Sequence, residues 1–371
     1  MFLLDSVLPF AGMLVALIVF HELGHYITAK MFGVKVLEAG IGYPPRAWGF
    51  TWRGTIYSIN WLPLGGFVRL LGEEDPSDPQ SLAAQPAWKR LIVLVSGSGM
   101  NFILPIILFA IAFMLPREVA VGPAVIDVVE EGSPAAAAGL KPDDRIISLG
   151  GDNVKNTQEA GRAIRLNTGE TITFEVDRPL PGGGFERIST DIKARWDPPG
   201  GQGPTGIQIH NQVSGSQICR TSNLPQCRET EQYSLWNAIP KGWTATIDAL
   251  RLARVQVFSI FYGGSGPDVA GPVGIADATG EVVKEAGWKT LLDFAALLSI
   301  NLAIINVLPL PMLDGGRMAF VLLEVVRRGR RVAPEKEAIV HLVGLALIVL
   351  SAVVITYFDV IRLIDGRSLF D

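Results

Sequence analysis

Two histidines and a glutamate lie within five residues of one another near the start of the chain, in the sequence HELGH. His21 and His25 are four positions apart, so on a helix they lie one turn apart on the same face, and both imidazoles can reach one metal ion. Glu22 then lies beside the metal, where its carboxylate can take a proton from water and pass it to a leaving amine. The spacing therefore predicts a divalent metal site with an adjacent general base.

The segment that carries these residues is apolar enough to lie in a membrane. Of the 371 residues, 49% are hydrophobic and 18% are charged, against about 25% charged in a typical soluble domain. A signal peptide explains the first apolar stretch poorly, because that stretch lacks a basic leader and a small-residue cleavage site. We expect a polytopic α-helical membrane protein, since four stretches have the length of about 20 apolar residues that crosses a bilayer: Leu3–Phe32, Leu91–Leu115, Phe294–Leu313 and Ala338–Phe358.

Two of the loops between these predicted transmembrane helices carry Lys and Arg near the helix ends. The first has Lys30, Lys35, Arg46, Arg53, Arg69, Lys89 and Arg90, and the third has Arg317, Arg327, Arg328, Arg330, Arg331 and Lys336. Because loops rich in Lys and Arg stay in the cytoplasm, we expect both loops inside and the N-terminus, the segment 117–289 and the C-terminus outside. The HELGH motif then lies toward the cytoplasmic side of a multi-pass protein of the cell (inner or plasma) membrane. A net charge of −4 gives no basic surface for nucleic acid, so no nucleic-acid partner is expected.

A catalytic zinc ion usually has three protein ligands and one open position, so one more ligand is needed. His210 lies on the predicted outer side. For His341, in the last apolar stretch, a local hydrogen bond is favoured over ligation. Asp314 ends the third apolar stretch at the same membrane depth as the two histidines, and Pro309 and Pro311 interrupt the helix before it. We predict Asp314 as the third ligand, with a capping or turn role as the alternative.

The remaining sequence divides into segments of different character. Residues 1–115 and 290–371 form the two predicted parts of the membrane domain. Within the first, residues 46–72 alternate aromatic and β-branched residues around glycines, which predicts a β-hairpin that dips into the cytoplasmic membrane face. Residues 117–197 predict a compact α/β module with a helix at Thr157–Leu166, and residues 198–289 predict an extracytoplasmic linker and an amphipathic helix.

Two further features of the outer segment leave alternatives open. The helix near residues 243–261 either lies on the outer membrane face or is an ordinary core helix. Cys219 and Cys227 flank a short polar loop on the side where oxidation is permitted. A local disulfide is the favoured interpretation, ahead of metal binding and of free thiols.

The motifs together resemble those of the site-2 protease family of intramembrane metalloproteases. HELGH in the first span, SGSGMN (96–101) in the second and NVLPLPMLDGG (306–316) in the third match the family's three motifs in order. YSINWLPLGGFVRLLGE and GPVGIADATG (271–280) match further family stretches. The module at 117–197 is similar to the PDZ domain of the bacterial members that act on anti-sigma factors.

The resemblance implies an activity and a role for each matched residue. His21, His25 and Asp314 would bind one Zn²⁺ per chain, with Glu22 as the base. Asn306 would contact the substrate backbone or the developing oxyanion, and the strand near Gly65 and Gly66 would pair with the substrate. Asn101 would position the substrate or tie helices together, of which we favour the second.

The implied activity is hydrolysis of single-pass membrane proteins in regulated intramembrane proteolysis, with anti-sigma factors or remnant signal peptides as substrates. An upstream site-1-type protease would trim the same substrate, and the PDZ-like domain would filter access. A membrane-bound PDZ scaffold with a vestigial metal centre and a transporter with a structural metal are the competing classes. The intact HExxH motif argues against the first of these, and the single clearly broken span argues against the second.

Overall fold

A computed structural model of the chain describes residues 6–213, 217–219, 228–264 and 270–365. Cys227 lies outside the described residues, and with it the predicted pairing with Cys219. The chain divides into two compact units. The first comprises Met1–Ala112, Asn237–Thr246 and Asp268–Asp371, and the second comprises Phe113–Trp236 and Ile247–Pro267.

Four of the helices in the described residues are long and apolar enough to cross a membrane, which is the number that the sequence predicts. They are α1 (Leu8–Met31), α2 (Ala87–Met114), α7 (Trp288–Val307) and α9 (Pro334–Ile364). The other α-helices in the described residues are α3 (Pro134–Ala137), α4 (Thr157–Leu166), α5 (Leu235–Phe261), α6 (Pro272–Glu281) and α8 (Asp314–Val326), and a short π-helix, Val282–Ala286, follows α6. The helix predicted at Thr157–Leu166 is confirmed residue for residue.

The third apolar stretch is not one helix, in contrast to the predicted span Phe294–Leu313. Helix α7 ends at Val307, and Leu308 is extended. The residue before a proline avoids the helical region, and Pro309 follows at once. Helix α8 then begins at Asp314 and has only 13 residues, about 20 Å at 1.5 Å per residue, which is too short to cross about 30 Å of hydrocarbon.

One face of α1 is buried, and this face carries the motif histidines. Its buried residues recur every three or four positions, as expected for one side of a helix: Met13, Leu17, His21, Gly24, His25 and Ala29. Helix α2 buries a corresponding row at intervals of four, which includes Val93, Gly97, Asn101 and Pro105. The two rows pack against each other in antiparallel order, since Val93 contacts His25 and Asn101 contacts His21.

Between α1 and α2 the chain forms two long strands, β1 (Val36–Trp52) and β2 (Thr55–Leu70), which pair with each other. Both strands bend, so that segment 38–41 has partners on two sides. The pairing places four segments side by side in the order 46–52, 55–60, 38–41 and 66–70. Gly65 and Gly66 are buried where the last segment meets α1, and a Cβ on Gly65 would lie 3.0 Å from Ile18.

A buried carboxylate, Glu38, joins separate segments of this sheet. It accepts hydrogen bonds from Arg46 at 2.7 Å and from Arg69 at 3.2 Å. Burial raises the pKa of Glu38, but hydrogen bonds from Ser58 and Arg46 outweigh burial and hold the pKa below its usual value. Glu38 therefore stays ionised at neutral pH and keeps both arginines in place.

The second unit contains a sheet with strand order β10-β9-β4-β5-β7-β8, and β6 pairs with β5. These strands are β4 (Ala124–Val129), β5 (Arg145–Leu149), β6 (Asp152–Asn153), β7 (Thr171–Pro179), β8 (Phe185–Lys193), β9 (Ile207–Val213) and β10 (Gln217–Cys219). A smaller pair joins β3 (Arg117–Ala120) to β11 (Arg228–Glu231). Residues of α3 and α4 pack into the core of this sheet, among them Ala135, Ala160 and Ile164.

The boundary predicted at residue 197 lies inside this sheet. The Gly- and Pro-rich stretch after β8 is a turn, because Arg195 donates its backbone N–H to Pro204 and Glu130 donates to Gly206. Strand β9 then pairs with β4 in the middle of the sheet. Glycine and proline allow sharp turns within a domain as readily as linkers between domains, so this composition fits a turn inside the sheet.

Candidate metal centre

Three potential ligands meet in the first unit, from opposite ends of the sequence. His21 Nε2 and His25 Nε2 lie 3.1 Å apart, and Asp314 Oδ2 lies 3.0 Å from the first and 3.2 Å from the second. Both histidines are buried, and Asp314 is partly buried. The structure thus brings together the three residues that the sequence singles out as ligands.

The donor set and its spacing fit a zinc ion. Zinc bonds of about 2.0–2.1 Å in tetrahedral directions separate their ligand atoms by about 3.3 Å. The observed separations are 3.0–3.2 Å. Two imidazoles and one carboxylate that leave an open position are also the ligand types of catalytic zinc sites. His21, His25 and Asp314 are therefore the residues that would hold the ion.

The second nitrogen of each imidazole supports the same assignment. His25 Nδ1 donates to the Val93 carbonyl at 2.8 Å, so its proton is on Nδ1 and Nε2 has a free lone pair. The side-chain amide of Asn101 lies 3.3 Å from His21 Nδ1. Its oxygen has no hydrogen-bond partner among the described residues, and amide O and N can be exchanged by rotation. With the oxygen facing Nδ1–H, Asn101 holds His21 with Nε2 toward the metal, as outer partners of ligating histidines do.

Asn101 is thus a neighbour of a ligand and not a cleft residue. It is 1% exposed, and Ser299 donates to its backbone carbonyl at 2.9 Å. The buried position supports the predicted role in holding helices together, and it speaks against the alternative of substrate binding, because a group enclosed by α1, α2 and α7 has no open face for a peptide.

Gly97 is a site residue that sequence reasoning missed. A Cβ on Gly97 would lie 2.6 Å from His21 Nε2 and closer still to His25 Nε2, so only glycine leaves this space free beside the ligand atoms. The available signal was the four-residue spacing of Val93, Gly97 and Asn101 within an apolar helix. That spacing indicates that the three residues share one side of α2, but it does not predict which helix packs against that side.

We expect Gly97→Ala to prevent zinc binding while the helix itself is retained, because alanine favours helices and its methyl group would overlap both Nε2 atoms. Metal analysis of the purified variant is the measurement. Gly99→Ala is the matched control, since a Cβ there meets nothing within 4 Å. Full zinc content in Gly97→Ala would contradict the geometry.

Glu22 lies at the boundary between the ligand cluster and a cleft. The cleft, of about 570 Å³, runs between α1 and the β1–β2 sheet. Apart from Glu22 its lining is almost entirely apolar or aromatic and includes Phe20, Leu23, Trp48, Phe50, Ile59 and Phe67. The backbone of Val68 in the last sheet segment hydrogen-bonds to Glu22. The carboxylate is therefore held beside the metal ligands and also faces a space that a substrate could enter.

Two tyrosines join α1 to the sheet beside this cleft. The hydroxyl groups of Tyr26 and Tyr57 lie 2.6 Å apart, and both residues line the cleft. Burial, followed by the hydrogen bond to Tyr26, raises the pKa of Tyr57 to about 12. Tyr57 therefore stays protonated at neutral pH and fixes the sheet to the helix that carries Glu22.

The other predicted site residues have different surroundings. Gly65 and Gly66 pack against α1, next to the cleft residue Phe67. Asn306 is half-buried in the last turn of α7, and its contact with substrate stays a prediction. His341 does not join the ligands, because its Nδ1 accepts a hydrogen bond from the Met312 backbone N–H at 2.8 Å.

A helix of bilayer length carries two of the candidate metal ligands, and the far end of the chain supplies the third. This arrangement fits a metalloprotease that works inside a membrane. Comparison with known proteins agrees. Residues 9–351 match the model of peptidase family M50, which is the family of the site-2 proteases. The chain therefore belongs to this family. It is accordingly a zinc metalloprotease of the site-2 type and a multi-pass membrane protein.

Curated relatives are similar over nearly their full length. Zinc metalloprotease RasP of Geobacillus kaustophilus is 28% identical, over 96% of this chain and 98% of its own length. Zinc metalloprotease RasP of Oceanobacillus iheyensis is also 28% identical, over 97% of this chain and 100% of its own. A protein of Fusobacterium nucleatum is 32% identical, over 96% and 98% respectively.

Proposed function

We propose that this protein hydrolyses peptide bonds of single-pass membrane proteins within or beside the lipid bilayer, as a step of regulated intramembrane proteolysis. Anti-sigma factors and remnant signal peptides are the proposed substrates. The observation that carries the proposal is the position of Glu22, which lies next to the ligand cluster and faces an apolar cleft. A transmembrane peptide is the kind of substrate that an apolar, aromatic cleft inside a membrane protein fits.

The chemistry follows from the residues around the cluster. When bound, one Zn²⁺ per chain would activate a water molecule and polarise the scissile carbonyl. Glu22 takes the proton of the attacking water and delivers it to the leaving amine. Asn306 hydrogen-bonds the substrate backbone or the developing oxyanion.

The β1–β2 sheet offers a way to hold the substrate. A transmembrane helix shields its own peptide bonds, so the substrate must unwind, and its freed backbone groups then need partners. The segments 46–52 and 66–70 are the outer members of the sheet, and an extended substrate pairs with such an edge by β-addition. Gly65 and Gly66 bring the second of these edges close to α1. Exposed aromatics on the sheet, Trp48, Trp52 and Trp61 among them, support the proposal that the sheet dips into the membrane face.

The second unit is proposed as an extracytoplasmic PDZ-like domain that filters access, after an upstream site-1-type protease has removed the substrate's outer part. The basic residues of the first and third loops support a metal centre near the cytoplasmic side. Helix α5 exposes Trp236, Trp243, Phe258 and Phe261, which suits a position on the outer membrane surface.

The test is cleavage of a tagged transmembrane peptide by the detergent-purified full chain. We expect cleavage that stops on chelation and returns on addition of Zn²⁺, because the ligand set has no other way to activate water. A matched peptide with the same sequence but without the transmembrane segment should be cut poorly. Cleavage that persists in the presence of chelator would contradict a zinc mechanism, and equal cleavage of both peptides would contradict the substrate class.

A further inference from the structure

We propose that His341 is a positioning residue for Asp314, acting through the backbone of Met312. The inference rests on the proposed metal site and adds to it the device that holds the third ligand in place. Asp314 needs such a device because it is the first residue of α8 and follows an irregular loop, residues 308–313.

The loop has a backbone conformation that its own sequence does not favour. Met312 has φ +74°, in the left-handed region that non-glycine residues adopt infrequently. Such a conformation persists only where the surroundings impose it, and it is a recognised feature of functional sites. Met312 is two residues before Asp314, so the direction in which α8 starts depends on it.

Close packing restricts the loop from two sides. A Cβ on Gly344 of α9 would overlap Pro311 and lie 3.0 Å from its carbonyl carbon. Cβ atoms on Gly315 and Gly316 would collide with the carbonyl groups of Leu308 and Leu310 respectively. The loop is therefore wedged between the start of α8 and the face of α9 that carries Gly344.

His341 is on that same face, one turn before Gly344, and it makes the polar contact with the loop. The Met312 N–H donates to His341 Nδ1 at 2.8 Å. Nδ1 must then carry a lone pair, so the imidazole proton is on Nε2, which lies 3.8 Å from Glu337 Oε1. His341 is 8% exposed, and the Phe320 ring of α8 lies 5.6 Å away. The single acceptor nitrogen is fully used by Met312, which explains why a buried histidine of this unit is not a ligand.

If His341 only stabilised the fold, its replacement would lower stability without changing metal affinity. Variants that differ in the position of the hydrogen-bond acceptor separate this role from the positioning of Asp314. In His341→Asn the amide oxygen can occupy the position of Nδ1, whereas in His341→Gln the amide lies further out, near Nε2. Both substitutions keep a polar group of similar size. His341→Phe removes the acceptor and keeps the ring.

The measurement is the Zn²⁺ dissociation constant of the purified full chain by chelator competition, together with the thermal midpoint. We expect His341→Gln and His341→Phe to weaken zinc binding by about 10- to 100-fold, the usual effect of removing an outer partner of a metal ligand. His341→Asn should stay within about 3-fold of wild type, since it keeps the acceptor that orients the ligand.

Asp359→Ala is the matched control. Asp359 is also buried on α9, and it accepts a hydrogen bond from the Gly274 N–H at 2.8 Å, far along the helix from His341. We expect this variant to lower the thermal midpoint and to leave the zinc dissociation constant unchanged.

The outcomes separate the inference from the metal site itself. If wild type binds no zinc, the proposed metal site fails. If wild type binds zinc and His341→Gln binds it equally well, the positioning role fails and the metal site stands. Equal weakening in His341→Asn and His341→Gln, or in Asp359→Ala, would also overturn the positioning role, and the Asn and Gln pair decides the matter if His341→Phe does not fold.

Discussion

Replacement of Glu22 by glutamine is expected to lower the rate of peptide cleavage by about 10²- to 10⁴-fold, the range that general acid–base catalysis contributes. Glutamine has nearly the same shape, but its amide cannot take a proton from water. Zinc binding should persist, because Glu22 is not one of the three residues whose ligand atoms form the cluster. The variant therefore separates chemistry from metal binding.

The measurement is single-turnover cleavage of a tagged transmembrane peptide at saturating Zn²⁺, with the zinc content of each sample determined in parallel. Glu335→Gln is the matched control, because Glu335 is exposed at the start of α9 and outside the cleft. A Glu22→Gln protein that binds zinc and cleaves at the wild-type rate would rule out Glu22 as the base.

Replacement of Asp314 by alanine is expected to abolish zinc retention and, with it, cleavage. The change leaves two imidazoles to hold a divalent cation in a buried site and removes the only anionic ligand of the three. Loss of a direct ligand should exceed the 10- to 100-fold weakening that is typical for an outer partner, so we expect more than about 100-fold.

Two measurements check this expectation: zinc content after dialysis against a chelator, and the thermal midpoint with and without added Zn²⁺. A ligand that binds the folded state raises its stability, so zinc should raise the midpoint of wild type and leave that of Asp314→Ala unchanged. Asp359→Ala should keep the zinc response, because Asp359 contacts α6 and not the metal ligands. A zinc-dependent shift in Asp314→Ala equal to that of wild type would remove Asp314 from the ligand set.

These variants test residues that the sequence made visible for different reasons. His21, Glu22 and His25 are neighbours in one helix, so their common face follows from helix geometry alone. Asp314 was predicted as a ligand only from its expected depth in the membrane. It lies 293 positions from His21, so no local sequence pattern connects the two residues. Gly97 could not be predicted as a site residue. Its lack of a side chain matters only where α2 packs against the two histidines of α1, and this contact exists only in the folded protein.

Apolar length and helical spacing are local properties, so the sequence by itself predicted four helices long enough to cross a membrane and a metal motif on one of them. The proline pair before Asp314 also showed that a helix is interrupted there, although not that it ends at Val307. Tertiary structure alone decided which residues surround the ligands, that His341 binds a backbone N–H in place of the metal, and that the sheet of the second unit extends past residue 197. Each of these features depends on contacts between segments that are far apart in the chain. Such contacts arise when whole helices and strands pack together, and they produce no periodic pattern in the sequence of either segment.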